Sequence, residues 1–196
     1  MKKFFEDGID IIIKMLVTQL GMTMFGIMIT MTALVVPGFA GQGKNSLTLI
    51  ASITAVVFYM FLLYIHVWEK GARDKIKIDG GRLEKNNLKG LYLSLVANSL
   101  NILLGLIMCA TYYFIDFSKQ SPSLVYQIYG IVNDVARMIQ GMFIGILNYI
   151  SPDAKAISPI CFILITFPAL FISSFGYYLG STNRKISKLF KQVNEK

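Results

Sequence analysis

The sequence predicts an all-α, polytopic membrane helix bundle with four transmembrane helices and one amphipathic interfacial or re-entrant helix. Hydrophobic residues make up 55% of the 196 positions and charged residues only 15%, whereas soluble domains carry about 25% charged residues. The mean hydropathy is +0.58. The charges also cluster between long apolar runs, which indicates several bilayer spans within a single integral membrane domain, residues 1–196.

Four apolar runs are long enough to cross a bilayer, because a hydrocarbon core of about 30 Å takes about 20 helical residues. The predicted spans are about residues 9–36, 47–68, 90–117 and 157–180. The second span ends in Trp68, an aromatic side chain of the kind found at membrane interfaces. The last span contains Pro168, which is expected to kink it.

The longest polar stretch, residues 69–89, carries seven basic residues and four acids. Its alternating run 75–78, followed by Gly80 and Gly81, fits either a small hairpin or a plain structured loop. The basic tail, residues 181–196, is expected to form a short amphipathic helix. The positive-inside rule places this loop, the tail and the N-terminus in the cytoplasm.

The apolar segment 124–150 does not fit a simple span. It contains Asp134, Arg137 and four amide side chains, and each central charge costs about +2.5 to +3.5 kcal/mol to insert. On a helix, its polar and apolar residues fall on opposite faces. We therefore expect an amphipathic helix lying in, or dipping into, the interface. The alternative is a fifth span that lines a wet cavity and would place the tail outside.

A patch of polar residues is the candidate site. Asp134 and Arg137 are spaced to pair on one helix, and Asn98 and Asn101 lie on a stripe of small and polar residues in the third span. A stripe of the same rhythm occupies residues 19–33. Such stripes are expected to face each other as helix packing, with a polar pocket between them as the alternative. The candidate residues are Asn98, Asn101, Asn133, Asp134, Arg137 and Gln140.

No motif for catalysis, metal binding or a cofactor is found in the sequence. The single histidine, His66, has no partner at zinc-ligand spacing, and no HExxH, P-loop or Ser/His/Asp order occurs. Cys109 and Cys161 lie inside apolar runs and are expected to be free thiols. The sequence therefore predicts a protein that is not an enzyme and holds no cofactor.

Four short stretches carry a family resemblance: residues 18–22 (TQLGM), 68–74 (WEKGARD), 79–82 (DGGR) and 89–91 (KGL). With these, the chain resembles small multi-span membrane proteins of low-GC Gram-positive bacteria, a group without an assigned activity. The resemblance implies a bacterial plasma membrane and no particular mechanism.

Three functional hypotheses follow. The first is an accessory or small-ligand-handling subunit of a membrane transport or other complex, with loop 69–89 as the docking surface for a protein partner. The second is a structural, stress or self-protection protein whose basic loop and tail bind anionic headgroups, at about 1 kcal/mol per Lys or Arg. An intramembrane enzyme is the least favoured. Nucleic-acid binding is not expected, because basic cytoplasmic loops account for the net charge of +8.

Overall fold

The computed structural model describes residues 2–35, 42–115, 124–150 and 158–182, and all regular structure in these ranges is helical. The helices are α1 (Lys2–Val35), α2 (Gln42–Asp79), α3 (Lys89–Ala97), α4 (Ser99–Phe114), α5 (Leu124–Ile139), α6 (Ile144–Ile150), α7 (Ile160–Leu164) and α8 (Thr166–Ser181). A 3₁₀ turn, Gly141–Phe143, joins α5 to α6. The predicted all-α class is confirmed.

Three stretches of helix are long and apolar enough to cross a membrane: Gly8–Thr32, Ser46–Asp79 and Ile160–Ser181. Two bent helix pairs also pass this test, which brings the total to five if each is one span. Large apolar side chains, among them Met24, Val57 and Phe171, are exposed on these helices. Apolar exposure on this scale is typical of a surface that faces lipid. The chain is a multi-pass membrane protein.

Helix α2 continues well beyond its predicted end at residue 68. Its 38 residues make a rod of about 57 Å, so it cannot lie wholly within a hydrocarbon core of about 30 Å. The hairpin or loop predicted from run 75–78 is wrong, because that run is helical. Ion pairs at i, i+4, such as Glu69–Arg73, stabilise a helix there, and four alternating residues are too few to outweigh them.

The polar loop is therefore confined to the residues between α2 and α3. Helix α2 ends in a tight cap, in which the Gly81 N–H donates to the Ile78 carbonyl at 3.0 Å and the Arg82 N–H to the Lys77 carbonyl at 2.8 Å. Gly81 has a φ of 67°, the left-handed conformation that glycine adopts without a steric penalty after a helix end. The Gly-Gly pair is a helix stop rather than a hairpin turn.

The third predicted span, residues 90–117, is broken. Helices α3 and α4 are bent by 58° at Asn98, whose backbone lies at φ −93° and ψ 5°. Asparagine tolerates this bridge conformation because its side chain can bond to nearby polar groups. Residues 116 and 117 lie outside the described residues.

The segment 124–150 is also broken. Helix α5 is strongly amphipathic, as predicted, but the chain then bends by 83° through the 3₁₀ turn. Two glycines allow the bent chain to pack closely: a Cβ at Gly141 would meet the Ile27 side chain, and one at Gly145 would meet the Thr48 carbonyl. Such a bend defines either a broken span or a re-entrant loop.

The last span is interrupted at Ile165, between α7 and α8. Pro168 explains the position of this break. It has no N–H to donate to the Leu164 carbonyl, and its ring clashes with that carbonyl. Of the tail predicted as an amphipathic helix, residues 181–196, all but the first two lie outside the described residues.

The chain divides into two compact units. Unit 1 contains the described residues of Met1–Thr18, Met60–Ala97 and Pro168–Lys196, and unit 2 those of Gln19–Tyr59 and Asn98–Phe167. The core of unit 2 includes Met108, Ala136, Leu147 and Phe162, which bring α4, α5, α6 and α7 together.

In unit 1, helices α2 and α8 lie parallel at close range. Gly176 packs against Tyr64, and Gly180 packs against the backbone of Trp68 and Ala72. From the first contact to the second, the residue number rises by four on each helix, so the two helices run in the same direction. The spacing Gly-x-x-x-Gly is the pattern that lets membrane helices approach to backbone contact.

Candidate functional site

A buried carboxylate joins three helices of unit 1. The Asp74 side chain is 0% exposed. The Lys89 ammonium donates to its Oδ2 at 2.7 Å, and the Tyr177 hydroxyl donates to the same oxygen at 3.0 Å. The Lys70 ammonium lies 3.0 Å from Oδ1. One carboxylate thus holds α2, the start of α3 and the end of α8.

The energetic role of this cluster follows from its burial. Removing a carboxylate from water costs several kcal/mol, and only close opposite charges and hydrogen bonds repay that cost. Asp74 has both. We call Lys70, Asp74, Lys89 and Tyr177 the Asp74 cluster, and infer that it fixes how α2, α3 and α8 meet.

Next to the Asp74 cluster lies a cavity of about 180 Å³, which we call the basic cavity. Helix α1 and helix α2 both line it, and Lys70 belongs to both the cavity and the cluster. The lining residues are Asp10, Ile11, Lys14, His66, Lys70, Arg73 and Lys77. The four from α2 are spaced by four, three and four residues, which places them on one face of that helix.

The charge around the basic cavity is positive. Arg73 donates to the Glu69 carboxylate, one turn earlier on α2, and this pair is largely exposed. With the Asp74 cluster included, the cations are Lys14, Lys70, Arg73, Lys77 and Lys89, and the carboxylates are Asp10, Glu69 and Asp74. Among the side chains that the structure describes here, cations outnumber carboxylates by five to three. A concave surface of this kind attracts anions.

The basic cavity belongs to the part of α2 that the length of the helix places outside the hydrocarbon. About 20 residues of an α-helix cross the apolar core, so a span that begins near Ser46 reaches the interface at about Trp68. The lining residues of α2 begin two residues before Trp68 and continue beyond it. By helix length alone, the α2 side of the cavity is therefore expected near a membrane interface.

The basic cavity has donors suited to holding an anion. Arg73 offers the planar guanidinium fork that suits phosphate and carboxylate oxygens, and the lysines add point charges. Among the residues that the structure describes, no group of three or more His, Cys, Asp or Glu side chains is placed to hold a metal ion.

The six predicted site residues occupy three settings in unit 2. Asn98 and Asn101 are both buried, and the Asn101 Nδ2 donates to the Asn98 Oδ1 at 3.2 Å. Gln140 is buried at the bend after α5, where its Nε2 donates to the Phe162 carbonyl at 3.3 Å. The first setting is therefore a local contact at the bend between α3 and α4, and the second links the bend after α5 to α7.

The third setting is the polar face of α5. The Arg137 Nε donates to the Asn133 Oδ1, one turn earlier, at 3.1 Å, and Asp134 is exposed. This face carries the charged residues that made the segment costly to insert.

The polar stripes of the first and third spans pack against other segments than expected. Gly26 packs against Met142, and the Thr23 hydroxyl donates to the Ile139 carbonyl at 2.7 Å. Gly105 packs against Ile163. The stripes are packing surfaces, as predicted, but these contacts are with the bend after α5 and with α7 rather than with each other.

The sequence analysis missed the Asp74 cluster. Asp74 lies 15 residues from Lys89 and 103 residues from Tyr177, and such pairings cannot be read from local spacing. Two signals were available: the Lys70–Asp74 spacing of four on a helix, and the Gly176–Gly180 pattern in an apolar run. The first indicates that α2 continues past residue 68, and the second indicates that α8 packs closely against another helix.

A second cavity, of about 420 Å³, lies in unit 2 between the end of α4 and the start of α7. Tyrosine and aliphatic side chains dominate it, and Cys109, a free thiol, is at its wall. The lining residues are Cys109, Tyr112, Tyr113, Ile115, Ser158, Pro159 and Ile160.

The fold and the basic cavity define a class: a multi-pass α-helical membrane protein with a positively charged site in unit 1. Comparison with protein families, with curated proteins and with solved structures gives no match for this chain. The function is therefore argued from geometry.

Proposed function

We propose that this chain is a non-enzymatic membrane protein that binds the anionic headgroups of lipids in the basic cavity of unit 1. One observation carries the proposal: four cations from two helices, Lys14 of α1 and Lys70, Arg73 and Lys77 of α2, line one cavity. Each cation near an anionic membrane surface contributes about 1 kcal/mol to binding.

The orientation follows from the positive-inside rule. The stretch 69–89, with its seven basic residues, faces the cytoplasm in this proposal, as does the end of α8 that it contacts. The membrane is the bacterial plasma membrane, and its cytoplasmic leaflet presents the anionic headgroups.

A binding role without catalysis is supported by how the cations are held. Lys70 is fixed by Asp74 at 3.0 Å, and Arg73 is bonded to Glu69. Cations tied to carboxylates in this way are held in place. They are suited to holding a charged group rather than to moving protons.

The test measures thermal unfolding of the purified full chain in neutral detergent, with either phosphatidylglycerol or phosphatidylcholine added. We expect phosphatidylglycerol to raise the Tm and phosphatidylcholine to leave it unchanged, because only a ligand that binds the folded state stabilises it. Lys14→Gln and Arg73→Gln should remove most of the increase.

Matched controls are available in the loop after α2. Lys85→Gln and Arg82→Gln each remove one positive charge from an exposed position outside the basic cavity. These variants should therefore keep the Tm increase caused by phosphatidylglycerol. An equal Tm rise with both lipids, or an equal loss in cavity and control variants, would count against the proposal.

A second function, an accessory or small-ligand-handling subunit of a transport or other membrane complex, is supported by the cavity of unit 2. Its volume of about 420 Å³ lies in the range of small-molecule sites, about 300–1,000 Å³. Native mass spectrometry of the chain purified in mild detergent tests it. A bound small molecule that Tyr112→Ala removes supports this function, and an empty native chain argues against it.

A further inference from the structure

We infer that two buried amide oxygens of unit 2, Asn101 Oδ1 and Gln140 Oε1, bind a monovalent cation such as Na⁺. This site goes beyond headgroup binding, because the residues that line the basic cavity all belong to unit 1. Its two named ligands are neutral oxygen atoms.

Both amide oxygens are buried, and neither has a hydrogen-bond partner among the residues that the structure describes. Asn101 is 4% exposed and Gln140 is 2% exposed, so bulk water does not reach them. A buried acceptor that bonds to nothing carries a free-energy cost, and such groups are rare in native proteins. Two of them call for a bound species that accepts their lone pairs.

The orientation of each amide is set by its nitrogen. The Asn101 Nδ2 donates to the Asn98 Oδ1 at 3.2 Å, and the Gln140 Nε2 donates to the Phe162 carbonyl at 3.3 Å. Turning either amide around would set its oxygen against another acceptor oxygen, which repels it. The two oxygens are therefore the groups that remain open to a ligand.

Helices α4 and α5 pack against each other in opposite directions. The ring centroids of Tyr112 and Tyr129 lie 6.0 Å apart, and Met108 shares a core cluster with Ala136. Between these two contacts the residue number falls on α4 and rises on α5. The two helices are therefore antiparallel.

This antiparallel packing brings the two amides to the same level. Asn101 lies eleven residues before Tyr112, and Gln140 lies eleven residues after Tyr129. Eleven residues make about three helical turns, a rise of about 16 Å, so each amide returns to the face that carries the tyrosine. The helical path reaches Gln140, because its N–H donates to the Ala136 carbonyl at 2.9 Å.

Helix α7 gives an independent measure of the same level. Its Phe162 carbonyl accepts the hydrogen bond from Gln140. A Cβ at Gly105, one turn after Asn101 on α4, would meet the Ile163 side chain. Two adjacent residues of α7 thus contact Gln140 and the turn next to Asn101.

Two helix breaks of unit 2 make this region suited to a cation. Helix α5 ends at Ile139, next to Gln140, and the C-terminal end of a helix is the negative end of its dipole. On α7, the Leu164 carbonyl receives no N–H from Pro168. Unwound carbonyls and the C-terminal ends of half-helices coordinate Na⁺ in membrane transporters.

The ligand chemistry favours a single charge on the cation. Amide oxygens are hard ligands, which suit Na⁺ and the other hard cations. A divalent cation is harder to dehydrate and is normally held by carboxylates, whereas neither ligand here is one. Asp134, the acidic residue of α5, is exposed. A monovalent cation therefore fits the two amides better than Ca²⁺ or Mg²⁺.

The experiment measures thermal unfolding of the full chain in neutral detergent while NaCl replaces choline chloride. The ionic strength stays constant, so the screening of surface charges does not change. We expect the Tm to rise with NaCl and to saturate, because a ligand that binds only the folded state stabilises it. Choline, which is too large for a site between packed helices, should give no rise.

Two substitutions remove the ligands, and two matched substitutions act as controls. Gln140→Met and Asn101→Leu should each weaken the apparent Na⁺ affinity about tenfold or more. Gln127→Met and Asn148→Leu remove exposed amides of α5 and α6 and should leave the affinity unchanged. Na⁺ stabilisation that survives both ligand substitutions would overturn the assignment to these two oxygens.

A measurement on the unaltered chain keeps the test independent of how the variants fold. Equilibrium dialysis with radioactive sodium should show saturable binding of about one ion per chain. The absence of saturable binding, together with the same Tm in NaCl and choline chloride, would overturn the cation site. A water molecule that donates to both oxygens would then be the species that satisfies them.

Discussion

The carboxylate of Asp74 has two cations and one hydroxyl around it, and no solvent. Replacing it with a neutral amide leaves Lys89, itself buried, without its counter-charge. We expect Asp74→Asn to destabilise the fold by about 3–5 kcal/mol, measured by unfolding in mixed micelles. Glu69→Gln, which breaks an exposed pair on the same helix, should cost less than about 1 kcal/mol.

The double variant Asp74→Asn with Lys89→Met tests the same pair. Because it removes both buried charges, it should be more stable than Asp74→Asn alone. If the loss of unfolding free energy in the double variant equals the sum of the losses in the two single variants, the two side chains do not act as a pair.

The hydroxyl of Tyr177 makes a separate contribution to this cluster. Tyr177→Phe removes one hydrogen bond to a charged acceptor and should lower the unfolding free energy by about 1.5–3 kcal/mol. The neighbouring Tyr178 is 42% exposed, so Tyr178→Phe is a control of the same chemistry and should have little effect. Similar losses in both variants would contradict the buried bond.

At the scale of the helices, the close approach of α2 and α8 rests on small residues. A Cβ at Gly180 would meet the backbone of Trp68 and Ala72. We expect Gly180→Ala to cost about 1–3 kcal/mol through overpacking. The fluorescence of Trp68, the only tryptophan in the sequence, reports on this contact directly.

Gly130 on α5 is the control position for the Gly180→Ala substitution. Its Cβ position has no neighbour within 4 Å, so Gly130→Ala should be neutral or stabilise α5 by up to about 1 kcal/mol. A loss at Gly130 equal to that at Gly180 would mean that the close contact with Trp68 and Ala72 does not explain the loss at Gly180.

The helices also show what the sequence could and could not predict. Long apolar runs located the spans, because a helix in hydrocarbon needs only length and hydrophobicity. The extension of α2 to Asp79 was missed, since ion pairs on a helix leave no apolar signal. The bends at Asn98 and after Gln140 were missed as well, because glycines and amides that permit a bend also occur in straight helices.

The site was predicted only in part, for a related reason. The basic character of residues 69–89 was visible in the sequence, and it supplies Lys70, Arg73 and Lys77 to the cavity. Lys14 lies within the first predicted span, residues 9–36. Its place beside α2 depends on how two helices pack, which no local pattern records.

For the whole molecule, the parallel packing of α2 and α8 limits the number of crossings. Helix α2, and α7 and α8 taken together, each provide a stretch long and apolar enough to cross a membrane, so we expect both to cross in the same direction. The chain would then make one net crossing between them. We therefore expect that, of the two bent segments α3–α4 and α5–α6, one crosses and the other returns to its own side. Because α5 is amphipathic, we expect α5–α6 to be the segment that returns to its own side of the membrane.

Single cysteines in a background without Cys109 and Cys161 test this topology. Labelling by a membrane-impermeant maleimide should reach Lys85→Cys and Thr182→Cys from the same side, and Leu124→Cys and Ile150→Cys together from the other. Lys85 and Thr182 on opposite sides would contradict the parallel arrangement. Leu124 and Ile150 on opposite sides would make α5–α6 the crossing segment.

Helix α2 runs without a break from Gln42 to Asp79, so it forms a continuous rod about 57 Å long. A change in its tilt of about 10°, well within the range seen for membrane helices, would carry its far end sideways by on the order of 10 Å. If a change in bilayer thickness altered this tilt, the charged turns of α2 that line the basic cavity would move with it.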